Sequence, residues 1–143
     1  MSVAIPMQPG TSSAGRNKVI YWSLTALLMV PGAGGGLVEL FTGGPASIAQ
    51  TLLSLGYPLY IMKILGLAKV LGGIAILTGR SPRLKEWAYA GFALNFLGAT
   101  ASHLLAGDAA HAPFPFLFFL VHMTSYLLWY KTAATPLPGT IPG

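Results

Sequence analysis

The sequence of 143 residues contains no cysteine and few charges. Disulfides, thiolate nucleophiles and cysteine metal sites are therefore excluded. Charged residues make up 8% of the chain, with three acidic side chains against eight lysines and arginines. Soluble domains carry about 25% charged residues, so this chain lacks the charge needed to cover a water-facing surface. Hydrophobic residues make up 54% and the mean hydropathy is +0.67, which together indicate a membrane protein.

Four apolar segments run through the chain, over about residues 19–40, 59–78, 84–106 and 114–130. Each is close to the ~20 residues that a helix needs to cross roughly 30 Å of hydrocarbon. Helix is favoured because a lone spanning segment must satisfy its own backbone hydrogen bonds. We therefore predict an all-α fold, an integral membrane four-helix bundle over residues 18–131. The ends, residues 1–17 and 132–143, are rich in proline, glycine, serine and threonine and are interpreted as flexible tails.

The cations that flank these segments fall on one side of the predicted membrane. Four crossings bring six of them to the same face, namely Arg16, Lys18, Arg80, Arg83, Lys85 and Lys131. This bias predicts that the face is cytoplasmic and that both termini lie there. Lipid headgroups account for such surface cations, so we expect no nucleic-acid partner. The start of the chain also resembles a signal peptide, but the apolar character resumes after PGAGGG, which favours a retained helix.

Small and polar residues recur together along the first three segments. Lipid gives helices little hydrophobic reason to associate, so faces of this kind are expected to meet inside the bundle. Pro31, followed by GAGGG, should kink or unwind the first helix. The stripes comprise Gly32, Gly35, Gly36 and Glu39 in the first segment, Gly66, Lys69 and Gly73 in the second, and Gly91, Asn95, Gly98 and Ser102 in the third.

Lys69 lies in the middle of ILGLAKVLGGIAIL, residues 64–77, near the predicted midplane. An unpaired lysine there costs about 2.5–3.5 kcal/mol on insertion scales, so its side chain should point into the bundle towards an acceptor or water. Lys69 is then either functional, as a contact for a substrate or ion or as a proton-handling amine, or a structural tie that fixes helix register. The sequence leaves both interpretations open.

Further polar residues fall at mid-depth or in the outer half of the predicted bundle. The catalytic candidates are Lys69, His103 and Asn95, and the ligand-binding candidates are Glu39, Lys63, Ser102 and His122. We predict that Glu39 pairs with Lys63 or His103, between which the sequence does not choose.

His122 and Glu86 also have simpler, structural interpretations. His122 stands alone on a phenylalanine-rich helix, where a satisfied packing histidine is the simpler role. A metal site from His122, His103 and Glu39 lacks the local spacing of metal ligands, so no metal is expected. Glu86 is interpreted as a solvated charge beside Arg83 and Lys85.

Two stretches, LGYPLYIMKILGLAKVLGGIAIL and PRLKEWAYAGFALNFLGATASHLLAGD, resemble the DoxX-like family of small four-helix membrane proteins. The resemblance covers about residues 20–130 and implies a bacterial inner-membrane protein. The family takes its name from a subunit of a thiosulfate:quinone oxidoreductase, a distant branch. Members often carry an acidic residue where this chain has Asn95. The resemblance therefore implies that Asn95 cannot neutralise Lys69, although it can accept a hydrogen bond from it.

Three functional hypotheses follow from these residues. The first is a membrane enzyme or redox partner that binds a small lipophilic molecule, such as a quinone or isoprenoid, beside Lys69, Asn95 and His122. The second is a non-catalytic membrane subunit or assembly factor, whose small-residue faces bind a membrane protein partner or a second copy. The third is a transporter for a small solute or proton. The chain contains no cofactor motif, so no cofactor is expected.

Overall fold

The computed structural model describes the backbone of residues 11–133 and the side chains of residues 15–132. The predicted all-α class is confirmed over this range, where every regular element is helical. Most of the two predicted tails, residues 1–10 and 134–143, lies outside the described residues. The elements are α1 (Thr11–Met29), a π-helical segment (Val30–Gly34), α2 (Gly35–Thr42), α3 (Ala46–Ser54), α4 (Tyr60–Thr78), α5 (Pro82–Leu105) and α6 (Pro113–Ala133).

Local sequence signals set the ends of the helices. Ser81 caps α5 by accepting a hydrogen bond from the Leu84 N–H, and Pro82 stands in the first turn, where no N–H is needed. Helix α4 ends at Gly79 with φ of 57°, and α2 ends at Gly43 with φ of 80°. Glycine adopts these left-handed angles without a Cβ clash, so both helices stop where the sequence places it.

The first predicted span is a continuous helical path through α1, the π-helical segment and α2. Pro31 donates no backbone hydrogen bond and its ring disturbs the preceding turn. The wider π-helical segment accommodates this defect, so the irregularity expected at Pro31 is a local change of pitch. By length and composition, residues Gly15–Thr42 and Tyr60–Thr78 are each able to span a membrane.

The short helix α3 is an element that the sequence did not predict. It occupies the predicted loop between the first two spans and has nine residues. A helix of this length is marginal by itself in water, and two of its apolar side chains, Ile48 and Leu53, are exposed. The flanking GGP and GYP are typical of turns, but the nine residues of α3 contain no glycine or proline to break a helix.

The long helices pack in a closed order, α2 on α4, α4 on α5, α5 on α6, and α6 on α1. The backbones of α2 and α4 lie close together, since a Cβ atom added to Gly66 would lie 2.7 Å from the Gly36 carbonyl oxygen. The small-residue contact predicted for the first two spans is therefore present. On α5 the prediction is wrong, because Cβ atoms added at Gly91 and Gly98 would meet nothing within 4 Å.

The surface of the helices is largely apolar. Leu105, Phe41 and Trp87 are exposed by 89%, 80% and 79%. Further large apolar side chains are exposed along every helix. Monomeric soluble proteins rarely expose contiguous apolar patches beyond a few hundred Å². This surface matches a hydrocarbon environment and agrees with the composition of the chain.

Candidate functional site

A carboxylate from α2 neutralises the central lysine of α4. Lys69 Nζ donates hydrogen bonds to Glu39 Oε1 at 2.6 Å and Oε2 at 2.8 Å. The two side chains are only 19% and 10% exposed. Each residue lies three positions after a glycine of the close crossing, Gly36 or Gly66, so the absence of side chains at the crossing lets the charges meet. Pairing removes most of the cost of burying either charge alone.

The ion pair corrects two sequence-based predictions. Glu39 was expected to pair with Lys63 or His103, but Lys63 is exposed and His103 bonds to Asp108 instead. Asn95 was expected to leave Lys69 without a carboxylate, but α2 supplies one. The sequence could not choose the partner because it does not show how α2 and α4 are rotated against each other.

Two cavities meet beside this ion pair. A groove of about 280 Å³ lies between α4 and α5, and a smaller cavity of about 130 Å³ reaches between α1, α5 and α6. Lys69, Phe92 and Asn95 line both of them. The smaller cavity is completed by apolar residues and backbone from the π-helical segment and its neighbours, namely Leu28, Pro31, Gly32, Phe96 and Phe118.

Asn95 is the polar group most open to a ligand. It also lines a third groove of about 290 Å³, which extends towards Tyr57 and Ser102. Its carboxamide makes no hydrogen bond to any residue that the structure describes. A carboxamide offers two donors and an acceptor, and hydrocarbon can satisfy neither. A bound molecule or water is therefore the natural partner of Asn95.

Aromatic rings form the wall of the smaller cavity. The Phe92 and Phe96 rings stack with centroids 6.3 Å apart, and the Phe96 and Phe118 rings stack at 5.9 Å. Sequence reasoning missed these three residues. The available signal was spacing, because Phe92 lies three positions before Asn95 and therefore on the same face of α5.

His122 lies behind this aromatic wall. It is fully buried, and its ring contacts those of Tyr89, Phe92 and Phe96. Its Nε2 is 2.9 Å from the Tyr89 carbonyl oxygen, which can only accept, so Nε2 carries the proton. The other nitrogen, Nδ1, is buried and has no hydrogen-bond partner in the described structure. His122 is thus one side-chain layer away from the cavity lining.

A second polar cluster, also missed by sequence reasoning, joins three helices at the opposite end from Glu39. Ser125 of α6 bonds to Thr25 of α1 at 3.0 Å and to the Tyr89 hydroxyl of α5 at 3.1 Å. Lys85, predicted as a flanking cation, is only 6% exposed, and its Nζ donates to the Tyr21 hydroxyl at 2.8 Å. These bonds tie α1, α5 and α6 together.

The outer end of α5 carries a histidine–aspartate cluster. The Asp108 carboxylate bonds to His111 Nδ1 at 2.6 Å and to His103 Nδ1 at 2.8 Å. These hydrogen bonds, that of His111 first, hold the pKa of Asp108 below its usual value. Ser102 bonds to the Tyr57 hydroxyl at 2.7 Å. His103 and Ser102 are therefore engaged away from Lys69.

The structure divides the predicted site residues into separate groups. Lys69 and Asn95 share two cavities, and Glu39 bonds to Lys69. Lys63 instead lines a shallow outer pocket with Tyr60. In the part of the chain described, no group of three or more His, Asp and Glu side chains is arranged to hold a metal ion.

Comparison with known proteins gives one match. The sequence profile of the DoxX-like family matches residues 23–125, which extend from α1 into α6 and include the ion pair and both cavities. No curated protein and no solved structure matches the chain.

Proposed function

The chain belongs to the DoxX-like family of membrane proteins, and we propose that it binds a small lipophilic molecule beside Lys69 and Asn95. The observation that carries the proposal is that both residues line the same two cavities, while the Asn95 carboxamide has no partner among the described residues. The surrounding walls are apolar and aromatic. Such a lining, with a few converging polar groups, is typical of small-molecule sites.

The chemistry of the lining favours a ring that carries an oxygen acceptor, as in a quinone-like or isoprenoid-derived molecule. Lys69 directs two N–H groups at Glu39 and has a third to donate. Asn95 adds two donors. An apolar cavity of about 150 Å³ is known to hold benzene, so the smaller cavity, at about 130 Å³, suits part of a single ring. A tail would leave through the groove between α4 and α5.

The same groups would support chemistry on the bound oxygen. Negative charge that develops on a carbonyl or phenolic oxygen would be stabilised by the Lys69 ammonium in a medium of low dielectric constant. Glu39 would neutralise the charge of the Lys69 ammonium while no negative charge is present on the ligand. We therefore propose that the protein acts as an enzyme or a redox partner on the bound molecule.

The membrane setting of the site is part of the proposal. We propose four crossings, by the path from α1 to α2 and by α4, α5 and α6, in the inner membrane of a bacterium. The apolar surface of all four supports this arrangement. Exposed cations lie in the first half of α1 and at the turn between α4 and α5, which supports cytoplasmic termini by the bias of positive charge.

Asn95→Leu tests the binding site with little risk to the fold. The change keeps the branched shape and the number of side-chain heavy atoms but removes every polar atom, and no hydrogen bond to a described residue is lost. Organic extracts of identically purified wild type and variant are compared by mass spectrometry. We expect one lipophilic compound enriched in the wild type and depleted about tenfold or more in the variant, as for the loss of 1.4 kcal/mol of binding energy.

Thr124→Val is the matched control. Thr124 is exposed on α6 and bonds to the carbonyl of its own helix, so its loss should leave the compound in place. An extract with no enriched compound in wild type, or equal enrichment in Asn95→Leu, would contradict the proposal.

A second role, as a non-catalytic membrane subunit, is favoured by one observation. Gly91 and Gly98 leave a small-residue face of α5 uncovered, and such faces associate closely in membranes. Gly98→Leu would weaken association with a partner helix. The same change would leave a lipophilic compound bound to an isolated chain.

A further inference from the structure

A further groove of the protein is lined by neither Lys69 nor Asn95. It has a volume of about 740 Å³ and runs between α5 and α6, with Tyr89, Leu94, Met123 and Tyr126 among its walls. Glu86 and Trp87 stand at one end of it. Glu86 is the fifth residue of α5, so at 1.5 Å per residue it lies about 6 Å along the helix. In the proposed membrane arrangement, this depth places Glu86 near the border between lipid headgroups and hydrocarbon.

Among the residues that the structure describes, Glu86 is the acidic side chain without a partner. The sequence has three acidic residues, of which Glu39 pairs with Lys69 and Asp108 with two histidines. Glu86 is exposed and makes no hydrogen bond or ion pair with the residues that the structure describes. Of the two cations beside it in the sequence, Lys85 turns inward to Tyr21 and Arg83 forms no ion pair with it.

Glu86 therefore gives the rim of the groove a negative charge, whereas the other exposed charges at this end of the protein are positive. The exposed cations of this end attract anionic lipids in general, whereas Glu86 repels a phosphate and attracts an ammonium. Trp87 is 79% exposed, and its indole face adds a cation–π surface for the same group. An ammonium with N–H groups also forms charge-assisted hydrogen bonds with a carboxylate.

We infer that this groove binds a phospholipid whose headgroup carries a primary ammonium, as in phosphatidylethanolamine. The ammonium lies against Glu86 and Trp87, and an acyl chain fills the apolar groove towards Leu94. The apolar walls account for the chain and the carboxylate accounts for the headgroup. This groove shares Trp87 and Gly91 with the groove between α4 and α5, but neither Lys69 nor Asn95 lines it. Its occupation does not depend on the function proposed for the cavity of those two residues.

Native mass spectrometry with matched lipids tests the inference. The detergent-solubilised protein is mixed with equal amounts of phosphatidylethanolamine, phosphatidylcholine and phosphatidylglycerol that share the same acyl chains. The wild type should retain one phosphatidylethanolamine in preference to the other two. Glu86→Gln should lower this preference about tenfold, the effect expected for losing one charge-assisted hydrogen bond of roughly 1.4 kcal/mol.

Two further variants keep the test decisive. Asp108→Asn removes one carboxylate at the outer loop and should leave the preference unchanged. Ala90→Phe narrows the groove without changing charge and should release the bound lipid. Equal retention of the three lipids by wild type, an unchanged preference in Glu86→Gln, or a lipid-free dimer in place of the complex would each overturn the inference.

Discussion

At the scale of single residues, Lys69 can lie within an apolar segment because its charge is neutralised. A lysine among thirteen apolar or glycine positions costs free energy unless a partner accompanies it. Glu39 provides both carboxylate oxygens, and the pair is only slightly exposed. Structural tie and ligand contact are thus compatible roles, since a lysine whose charge is balanced still has one N–H to donate.

Removal of one partner of this pair should destabilise the protein. Lys69→Met leaves the Glu39 carboxylate buried without a counter-charge, and we expect a loss of about 3 kcal/mol in the free energy of unfolding. The double variant Glu39→Gln, Lys69→Met removes both charges and should recover most of that loss. Thermal unfolding in detergent, followed by circular dichroism, measures both. A double variant no more stable than Lys69→Met would show that the charges do not depend on each other.

At the scale of helices, glycines allow the backbones of α2 and α4 to pack close together. A Cβ atom on Gly66 would lie 2.7 Å from the Gly36 carbonyl oxygen and 3.0 Å from the Leu40 backbone nitrogen. Backbone atoms cannot move aside as a flexible side chain can. The two helices must separate if either glycine gains a side chain, and the contact between Lys69 and Glu39 would lengthen with them.

Gly66→Val should therefore destabilise the protein by about 1–3 kcal/mol or more, in the range typical of overpacking. Gly91→Ala is the matched control on α5, because nothing lies within 4 Å of its added Cβ atom. Alanine also favours helix by up to about 1 kcal/mol, so this variant should be neutral or stabilised. Chemical denaturation in mixed micelles compares the two, and equal loss in both would contradict the close crossing as its cause.

At the scale of the whole molecule, the charges at the two ends of the helices support the proposed orientation in the membrane. The α4–α5 turn and the start of α1 carry exposed cations, whereas the α5–α6 loop contains Asp108 and His111. The absence of native cysteine makes this orientation easy to measure. Thr78 and Ala109 are exposed near opposite ends of α5.

Single cysteines should react according to the proposed orientation. A membrane-impermeant maleimide applied to intact cells should label Ala109→Cys and spare Thr78→Cys, with both labelled after the cells are opened. Labelling of Thr78→Cys alone in intact cells would reverse the orientation. Labelling of both in intact cells would contradict the membrane crossing by α5.

Much of the fold could be predicted because its signals are local. The four long helical paths follow apolar runs bounded by glycine and proline, and Pro31 marks the π-helical segment. Helix α3 escaped prediction because its nine residues are too few to show a strong period. The partner of Lys69 and the aromatic cavity depend on how helices rotate and cross, and a single sequence does not record these angles. Glu39 was named as a site residue, but its pairing required the structure.

The measurement that tests the central claim most directly is photocrosslinking from the cavity wall in living cells. A photoreactive phenylalanine analogue replaces Phe118, which lines the cavity with Lys69 and Asn95. After illumination, the peptide containing residue 118 should carry the mass of one lipophilic compound, and Asn95→Leu should abolish this adduct. A peptide that carries only ordinary acyl lipids, equally in both proteins, would contradict a specific ligand site beside Lys69.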